Sequence, residues 1–273
     1  MEIYQGILLG ILQGLTEFLP VSSSGHLVLG QMFFGLKESL LSFDVSVHMG
    51  TLAAVLVVYL ADIRRMAYAL GRFASGPDEK SWRHFMDDGD RRFIMFIFLG
   101  SIPTALIGLG LKKMEHILFS SGTLVGCMLI LTGTMLWASR KLYRSDSQGE
   151  KVDGVRALWI GVVQGLAVVP GISRSGSTIC AGMAVGLDRH EAARFSFLLS
   201  IPAILGAQVL SLGDMIQMGE SFDGATLWGT LASFLTGLLA LKLLLKLVDS
   251  GKFHLFAPYC WGLGMLVLLS KLV

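Results

Sequence analysis

The sequence predicts an all-α, polytopic membrane protein built as an inverted-topology repeat, with six transmembrane helices and two re-entrant helical hairpins. Three observations predict it. The 273-residue chain is 53% hydrophobic and only 15% charged, where a soluble domain carries about a quarter charged residues. Several apolar runs reach about 18 to 24 residues, the length a helix needs to cross the hydrocarbon core. The third observation is a polar stretch that occurs twice. Gln13-Gly-Leu-Thr-Glu17-Phe-Leu-Pro20-Val-Ser22-Ser23-Ser24-Gly25-His26 is answered by Gln164-Gly-Leu-Ala-Val-Val-Pro170-Gly-Ile-Ser173-Arg174-Ser175-Gly176-Ser177-Thr178. At an offset of 151, Gln13 falls on Gln164, Gly14 on Gly165, Leu15 on Leu166, Ser22 on Ser173, Ser24 on Ser175 and Gly25 on Gly176. Further on, Gly35-Leu36 falls on Gly186-Leu187.

The elements follow in order. Residues 3–19 are apolar and stop at Pro20, and residues 27–36 are apolar but too short to span. Together, residues 3–36 read as a helix-break-helix hairpin that enters the membrane and leaves on the same side. Residues 43–61 form a span, 62–92 a polar loop, and 93–111 and 117–139 two more spans. A polar linker, 140–154, divides the first repeat (1–139) from the second (155–273). The pattern then recurs as a hairpin at 155–187 and spans near 194–213, 225–248 and 253–273. Each half has an odd number of crossings, so the second copy lies upside down relative to the first. The two broken elements then enter from opposite faces and meet near the midplane.

Charge placement gives the orientation. Fifteen of the 22 lysines and arginines fall on the side holding the 62–92 loop and the 140–154 linker, and four fall on the other. The positive-inside rule makes the richer side cytoplasmic. Both termini then face out, the first hairpin enters from outside, and the linker is cytoplasmic. The 62–92 loop reads as a solvated, topology-fixing segment. Met1-Glu2-Ile3 carries no basic stretch, so no cleaved signal peptide is expected. Cys127, Cys180 and Cys260 are far apart in apolar segments, which predicts buried small residues and no disulfide framework. No nucleic-acid partner is expected.

The duplicated stretch has the wrong composition for a lipid-spanning helix. Ionisable groups and broken backbone at that depth belong where protein buries them or water reaches them. Gln13 and Glu17 are four apart and share a helix face. Their oxygens suit a hard cation such as Mg²⁺ or Ca²⁺; the plainer reading is a bond from Glu17 to the tip backbone, and helix-to-helix bonding by Gln13. Ser22, Ser23 and Ser24 precede a helix start, where one serine serves as a cap. His26 lies three residues beyond Ser23, and either could be the nucleophile towards phosphorus. Arg174 cannot shed its charge and requires an anion. Phosphate is its natural bidentate partner, and a buried pair with Glu17 is the structural alternative. Ser173, Ser175, Ser177 and Thr178 offer donors around it, and the helix starts add free N–H groups. Asp44 and His48 lie four apart at the start of the first span, either supporting the site from behind or facing solvent.

QGLTEFLPVSSSGH and PGISRSGST resemble the two signature motifs of the bacterial undecaprenyl-pyrophosphate phosphatase family, of the bacitracin-resistance type. The resemblance runs from about Ile3 to the C-terminus. It implies hydrolysis of undecaprenyl pyrophosphate to undecaprenyl phosphate and inorganic phosphate, dependent on a divalent cation, Mg²⁺ or Ca²⁺. The released carrier lipid would re-enter cell-wall synthesis. The resemblance further implies a site open to the extracytoplasmic side of the bacterial cytoplasmic membrane. Carried over by position, Glu17 and Gln13 match the acidic, metal-binding motif. Ser23 and His26 match the nucleophile and its partner. Arg174, with Ser173 and Thr178, matches the pyrophosphate clamp, and Ser22, Ser24, Ser175 and Ser177 line the same two tips. Gln13 stands where many members have a second glutamate, which leaves the metal site one charge poorer. The competing expectation is a lipid-phosphate transporter or flippase using the same midplane anion site. The sequence leaves open which of Ser23 and His26 attacks, which cation is used, and whether the chain forms a homodimer.

Overall fold

The computed structural model describes residues 1–36, 41–75, 82–112, 114, 118, 121–142, 151–218 and 223–270, and every regular element among them is helical. The first half runs α1 (Ile3–Phe18), α2 (Ser23–Phe33), α3 (Leu41–Val58), α4 (Leu60–Ser75), α5 (Trp82–Asp87), α6 (Gly89–Lys112) and α7 (Gly122–Ser139). The second runs α8 (Gly154–Leu166), α9 (Arg174–Ala184), α10 (Arg189–Met218), α11 (Gly224–Asp249), a 3₁₀ turn (Phe253–Phe256) and α12 (Ala257–Ser270). Six helices are long and apolar enough to cross a membrane: α3, α6, α7, α10 as far as Gly213, α11, and the 3₁₀ turn continued by α12. The chain is thus a multi-pass membrane protein, with the number of spans the apolar runs predict. Bilayer-facing surface is left bare on these helices; Val209 and Leu239 are among the exposed side chains.

Local signals set the helix ends. Asp153 caps α8 by accepting from the Arg156 N–H at 2.9 Å, and Asp223 caps α11 by accepting from Thr226 N–H at 2.7 Å. Ser121 caps α7 through Leu124 N–H at 3.2 Å, so that span starts later than residue 117. Pro20 lies just beyond the end of α1, where its missing N–H cannot continue the helical ladder. The expectation of a loop over 62–92 is corrected. Among the described residues there, α4 and α5 are helical and α6 already begins at Gly89. Met66 and Ala69 are buried while Arg64, Arg65, Tyr68 and Arg72 are exposed. The charges on the outer face hid an amphipathic period of 3.6. Lys37, Lys80, Lys113, Arg144 and Lys271, all counted in the orientation argument, lie outside the described residues, as does most of the 140–154 linker.

The two halves interlock. α1 packs on α11, and α8, its counterpart at offset 151, packs on α6. α3 meets α10, and α7 meets α12. Glycine makes the first two contacts close. A Cβ on Gly10 would lie 2.1 Å from the Gly229 carbonyl oxygen, and one on Gly161 would lie 2.0 Å from that of Gly100. Backbone-to-backbone approach of this kind is how helices associate without a hydrophobic driving force in lipid. It holds the short arms α1 and α8 against long spans, so the breaks after Phe18 and Leu166 are brought to one place. Phe18, fully buried, anchors the first break from behind by packing edge-on against Phe197 with ring centroids 5.9 Å apart.

Candidate active site

Both breaks sit at the meeting of the short arms, and they touch. The Gly171 N–H donates to Ser22 Oγ at 3.2 Å, and Ser175 Oγ donates to the Phe18 carbonyl at 2.9 Å. Each tip carries one left-handed residue: Ser22 at φ +69 and Gly171 at φ +93. Glycine takes that conformation freely, whereas serine does so under strain. The strain has a local consequence. A capping serine has extended backbone and turns its oxygen onto its own first turn. Ser22 does not, and its side chain makes no cap on α2. Its hydroxyl reaches the other tip instead. Ser173, with φ −75, does cap α9, accepting from the Gly176 N–H at 3.1 Å.

Glu17 lies at the centre. Its Oε1 accepts from the Arg174 guanidinium. Its Oε2 accepts from Gln13 Nε2 at 2.9 Å and from Ser23 Oγ at 2.7 Å. His48 Nε2 faces the same oxygen at 3.8 Å. Glu17 ends α1 and Arg174 begins α9, so each charge sits at the unfavourable end of its own helix dipole. Taking them out of water adds to that cost, and the pair is sustained by its mutual attraction and by the hydroxyl and amide donors. Fold stability alone does not call for such an arrangement. An anion arriving at the tips would meet Arg174, the uncapped first turn of α2 and a half-buried Ser23 together.

The expected residues converge, and Ser23 and His26 bond to different partners. Ser23 pairs with Glu17 and not with His26. His26 Nδ1 lies 2.8 Å from the Ser22 carbonyl, which can only accept, so Nδ1 carries the proton. Its Nε2 then accepts from the Tyr259 hydroxyl at 2.6 Å. Both ring nitrogens of His26 are occupied, and the Ser23 hydroxyl bonds to Glu17. The donor ring expected around Arg174 also differs. Ser173, Ser175, Ser177 and Thr178 are buried. Ser177 donates to the Ser173 carbonyl at 2.8 Å and Thr178 to the Arg174 carbonyl at 2.8 Å. These hydroxyls shape the tip from inside. Ser22 is buried as well, and Ser24 is half-buried, 3.4 Å from the Ser22 hydroxyl. The side chains that reach open space are those of Ser23, Ser24, His26, His48 and Arg174, all partly exposed.

Asp44 and His48 find their place. Gln31 Nε2 donates to Asp44 Oδ1 at 2.7 Å, and His48 Nδ1 donates to the Asp44 carbonyl at 2.7 Å. That bond turns the Nε2 edge of His48 toward Glu17. Tyr259 and Thr132 were not singled out by the sequence. Thr132 Oγ1 donates to the Gly171 carbonyl at 3.0 Å and accepts from Ser173 N–H at 3.2 Å, bracing the second tip. Both residues lie inside apolar spans, where nothing in the local pattern separates them from ordinary span residues.

A hard cation fits the donor set. Gln13 is fully buried, and its Oε1 has no hydrogen-bond partner. An orphaned buried acceptor beside a carboxylate is a group awaiting a donor or a cation. Among the described residues no three His, Cys, Asp or Glu side chains cluster as metal ligands. A cation here would draw on Gln13 and Glu17 and take its remaining oxygens from water and substrate.

The chain resembles known proteins along nearly its whole length. A family model described as "Bacitracin resistance protein BacA" matches residues 6–266. The chain is 54% identical over 275 residues to a protein of Desulforapulum autotrophicum named undecaprenyl-diphosphatase, with the whole of both chains covered. A protein of the same name from Desulfosudis oleivorans is 54% identical over 97% of each chain. Another, from Methanobrevibacter smithii, is 39% identical over 100% of this chain and 99% of that one. The tips with their charged centre and the match along nearly the whole sequence lead to one conclusion: the chain belongs to the bacitracin resistance protein BacA family.

Proposed function

We propose that this protein is an undecaprenyl-pyrophosphate phosphatase, releasing inorganic phosphate and undecaprenyl phosphate from a lipid substrate held in the membrane. The relatives' names supply the substrate class. The observation that carries the chemistry is the contact between Ser23 Oγ and Glu17 Oε2 at 2.7 Å, beside the Arg174 guanidinium. A hydroxyl hydrogen-bonded to a carboxylate is a nucleophile with its proton acceptor already in place.

The geometry supports the following steps. The pyrophosphate draws Arg174 away from Glu17, because two anionic phosphorus centres offer the planar fork more oxygens than one carboxylate does. Ser23 Oγ attacks the terminal phosphorus, its proton passes to Glu17, and the bond from that phosphorus to the bridging oxygen breaks. Undecaprenyl phosphate leaves. Glu17 gives that proton up to the departing lipid phosphate, then takes one from the water that attacks the phosphoserine and returns it to Ser23 Oγ as the phosphorus–Oγ bond breaks and inorganic phosphate departs. Arg174 and the uncapped N–H groups of α2 are aimed where charge grows on the phosphoryl oxygens. Gln13 and Glu17 would hold a divalent cation, Mg²⁺ or Ca²⁺, which would neutralise phosphate charge.

The offset-151 match, the reciprocal packing of α1 on α11 and α8 on α6, and the touching tips support an inverted repeat with two re-entrant hairpins. The charge asymmetry supports a site opening to the extracytoplasmic side of the cytoplasmic membrane, with both termini on that side. A flippase would use Arg174 equally well but has no need of a hydroxyl aligned on a carboxylate. Phosphate release from undecaprenyl pyrophosphate in detergent separates the two, because transport requires two membrane faces and hydrolysis does not.

A further inference from the structure

The two hairpins are alike in sequence but held in different ways. α9 packs against α8, α10 and α7, and nine of its eleven residues are buried. α2, its counterpart at offset 151, packs chiefly against α1 and buries only Leu27 and Gln31. Yet α2 begins with Ser23, and its seat decides where that hydroxyl points. With little packing, polar ties must position it. Ser23 to Glu17, Ser22 to Gly171 and Gln31 to Asp44 are three of these. The fourth crosses to α12: Tyr259 donates to His26 Nε2 at 2.6 Å, with the two rings stacked at 5.8 Å and 15°. The other nitrogen of His26 holds the carbonyl of Ser22, the strained residue at φ +69.

Resting on the phosphatase reading above, we infer that Tyr259 is a positioning residue for the reaction, latching α2 to α12 through His26. The chain of contacts runs from the Tyr259 hydroxyl through the imidazole to the Ser22 carbonyl. A residue in left-handed strain keeps that conformation only while its surroundings over-determine it. Tyr259 supplies the outermost of those constraints and thereby sets the direction of Ser23, the next residue. It touches neither nucleophile nor carboxylate. The latch accounts for a histidine whose nitrogens are both occupied, and for a half-exposed tyrosine on a bilayer-facing helix aimed at a polar group.

The test uses the full-length protein in detergent and the variant Tyr259→Phe, which keeps the ring and removes only the hydroxyl. Two readouts are taken. Amide hydrogen exchange over residues 23–33 should speed up while that over residues 174–184 stays as in wild type. The kcat for phosphate release should fall about tenfold, the loss expected when one hydrogen bond to a positioned group is removed, with KM unchanged. In a His26→Ala background, Tyr259→Phe should have no further effect on either readout. Unchanged exchange over 23–33, a rise in KM at constant kcat, or additive losses in the double variant would overturn the latch. Exchange needs no turnover. Wild-type protein that released no phosphate would therefore count against the phosphatase reading, and the exchange readout would still decide the role of Tyr259.

Discussion

Replacing Arg174 with lysine separates charge from geometry. Arg174 sits on the second tip with its guanidinium against Glu17 Oε1 and its side chain 18% exposed. Arg174→Ala would leave Glu17, a side chain only 6% exposed, with neutral donors alone. Leaving one partner of a buried pair uncompensated costs about 3–5 kcal/mol, so the alanine variant confounds folding with catalysis. Arg174→Lys retains the positive charge and with it most of that stability. It loses the planar fork, because an ammonium is a point charge on a flexible stem. Misorientation at a reacting centre costs about 100-fold in rate, and the loss should fall on kcat, because the lipid tail still partitions into the membrane. The assay is phosphate release at saturating substrate and cation, alongside the thermal unfolding midpoint. A lysine variant that folded normally and kept more than about a third of kcat, far above the loss misorientation implies, would refute the clamp. Arg174 would then be a bulk positive charge.

Other outcomes follow from the same geometry. Glu17→Gln should abolish turnover at ordinary cation levels, whereas Gln13→Glu should preserve it and lower the Mg²⁺ concentration needed for half-maximal rate, since carboxylate charge favours a hard cation; an unchanged Mg²⁺ titration in Gln13→Glu would remove Gln13 from the metal site. Gly10→Val should prevent folding or lower the thermal midpoint sharply, because a Cβ there would lie 2.1 Å from the Gly229 carbonyl oxygen; a midpoint equal to wild type would show that α1 and α11 do not pack this closely. A cysteine placed at Ser75, the exposed end of α4, should resist an impermeant thiol reagent in intact cells and react after permeabilisation; labelling in intact cells would reverse the proposed orientation.

The spans were legible because membrane helices announce themselves by length and apolarity, and the six runs recur as six long apolar helices with ends shifted by a few residues. The meeting of the tips was legible for a different reason. The duplication at offset 151 places two copies of one broken element in opposite orientations, so that they meet, with the buried Arg174–Glu17 pair as the structural alternative to an anion. The internal wiring of the site was not legible. Whether Ser23 turns to His26 or to Glu17 depends on the left-handed backbone at Ser22, which no residue type there predicts. Nor does the Ser-Arg-Ser-Gly-Ser-Thr run reveal that Ser177 and Thr178 bond backward onto their own helix. The amphipathic period of α4 and the small residues at Gly6, Gly10 and Gly14, spaced by four along the α1–α11 contact, are signals that the sequence carries beneath its charges and its overall apolarity. Tyr259 carries no local signal, since only the fold brings it within reach of His26.

In the proposed reaction, Ser23 and Glu17 form the chemical centre of a lipid pyrophosphate phosphatase. The direct measurement is inorganic phosphate released from undecaprenyl pyrophosphate by purified protein in detergent with Mg²⁺, comparing wild type with Ser23→Ala and Glu17→Gln at equal folded concentration. Turnover by wild type, with loss of at least about a hundredfold in each variant, as expected when a nucleophile or its proton acceptor is removed, is the predicted result. Turnover undiminished in Ser23→Ala and Glu17→Gln, or none in folded wild-type protein, would contradict it.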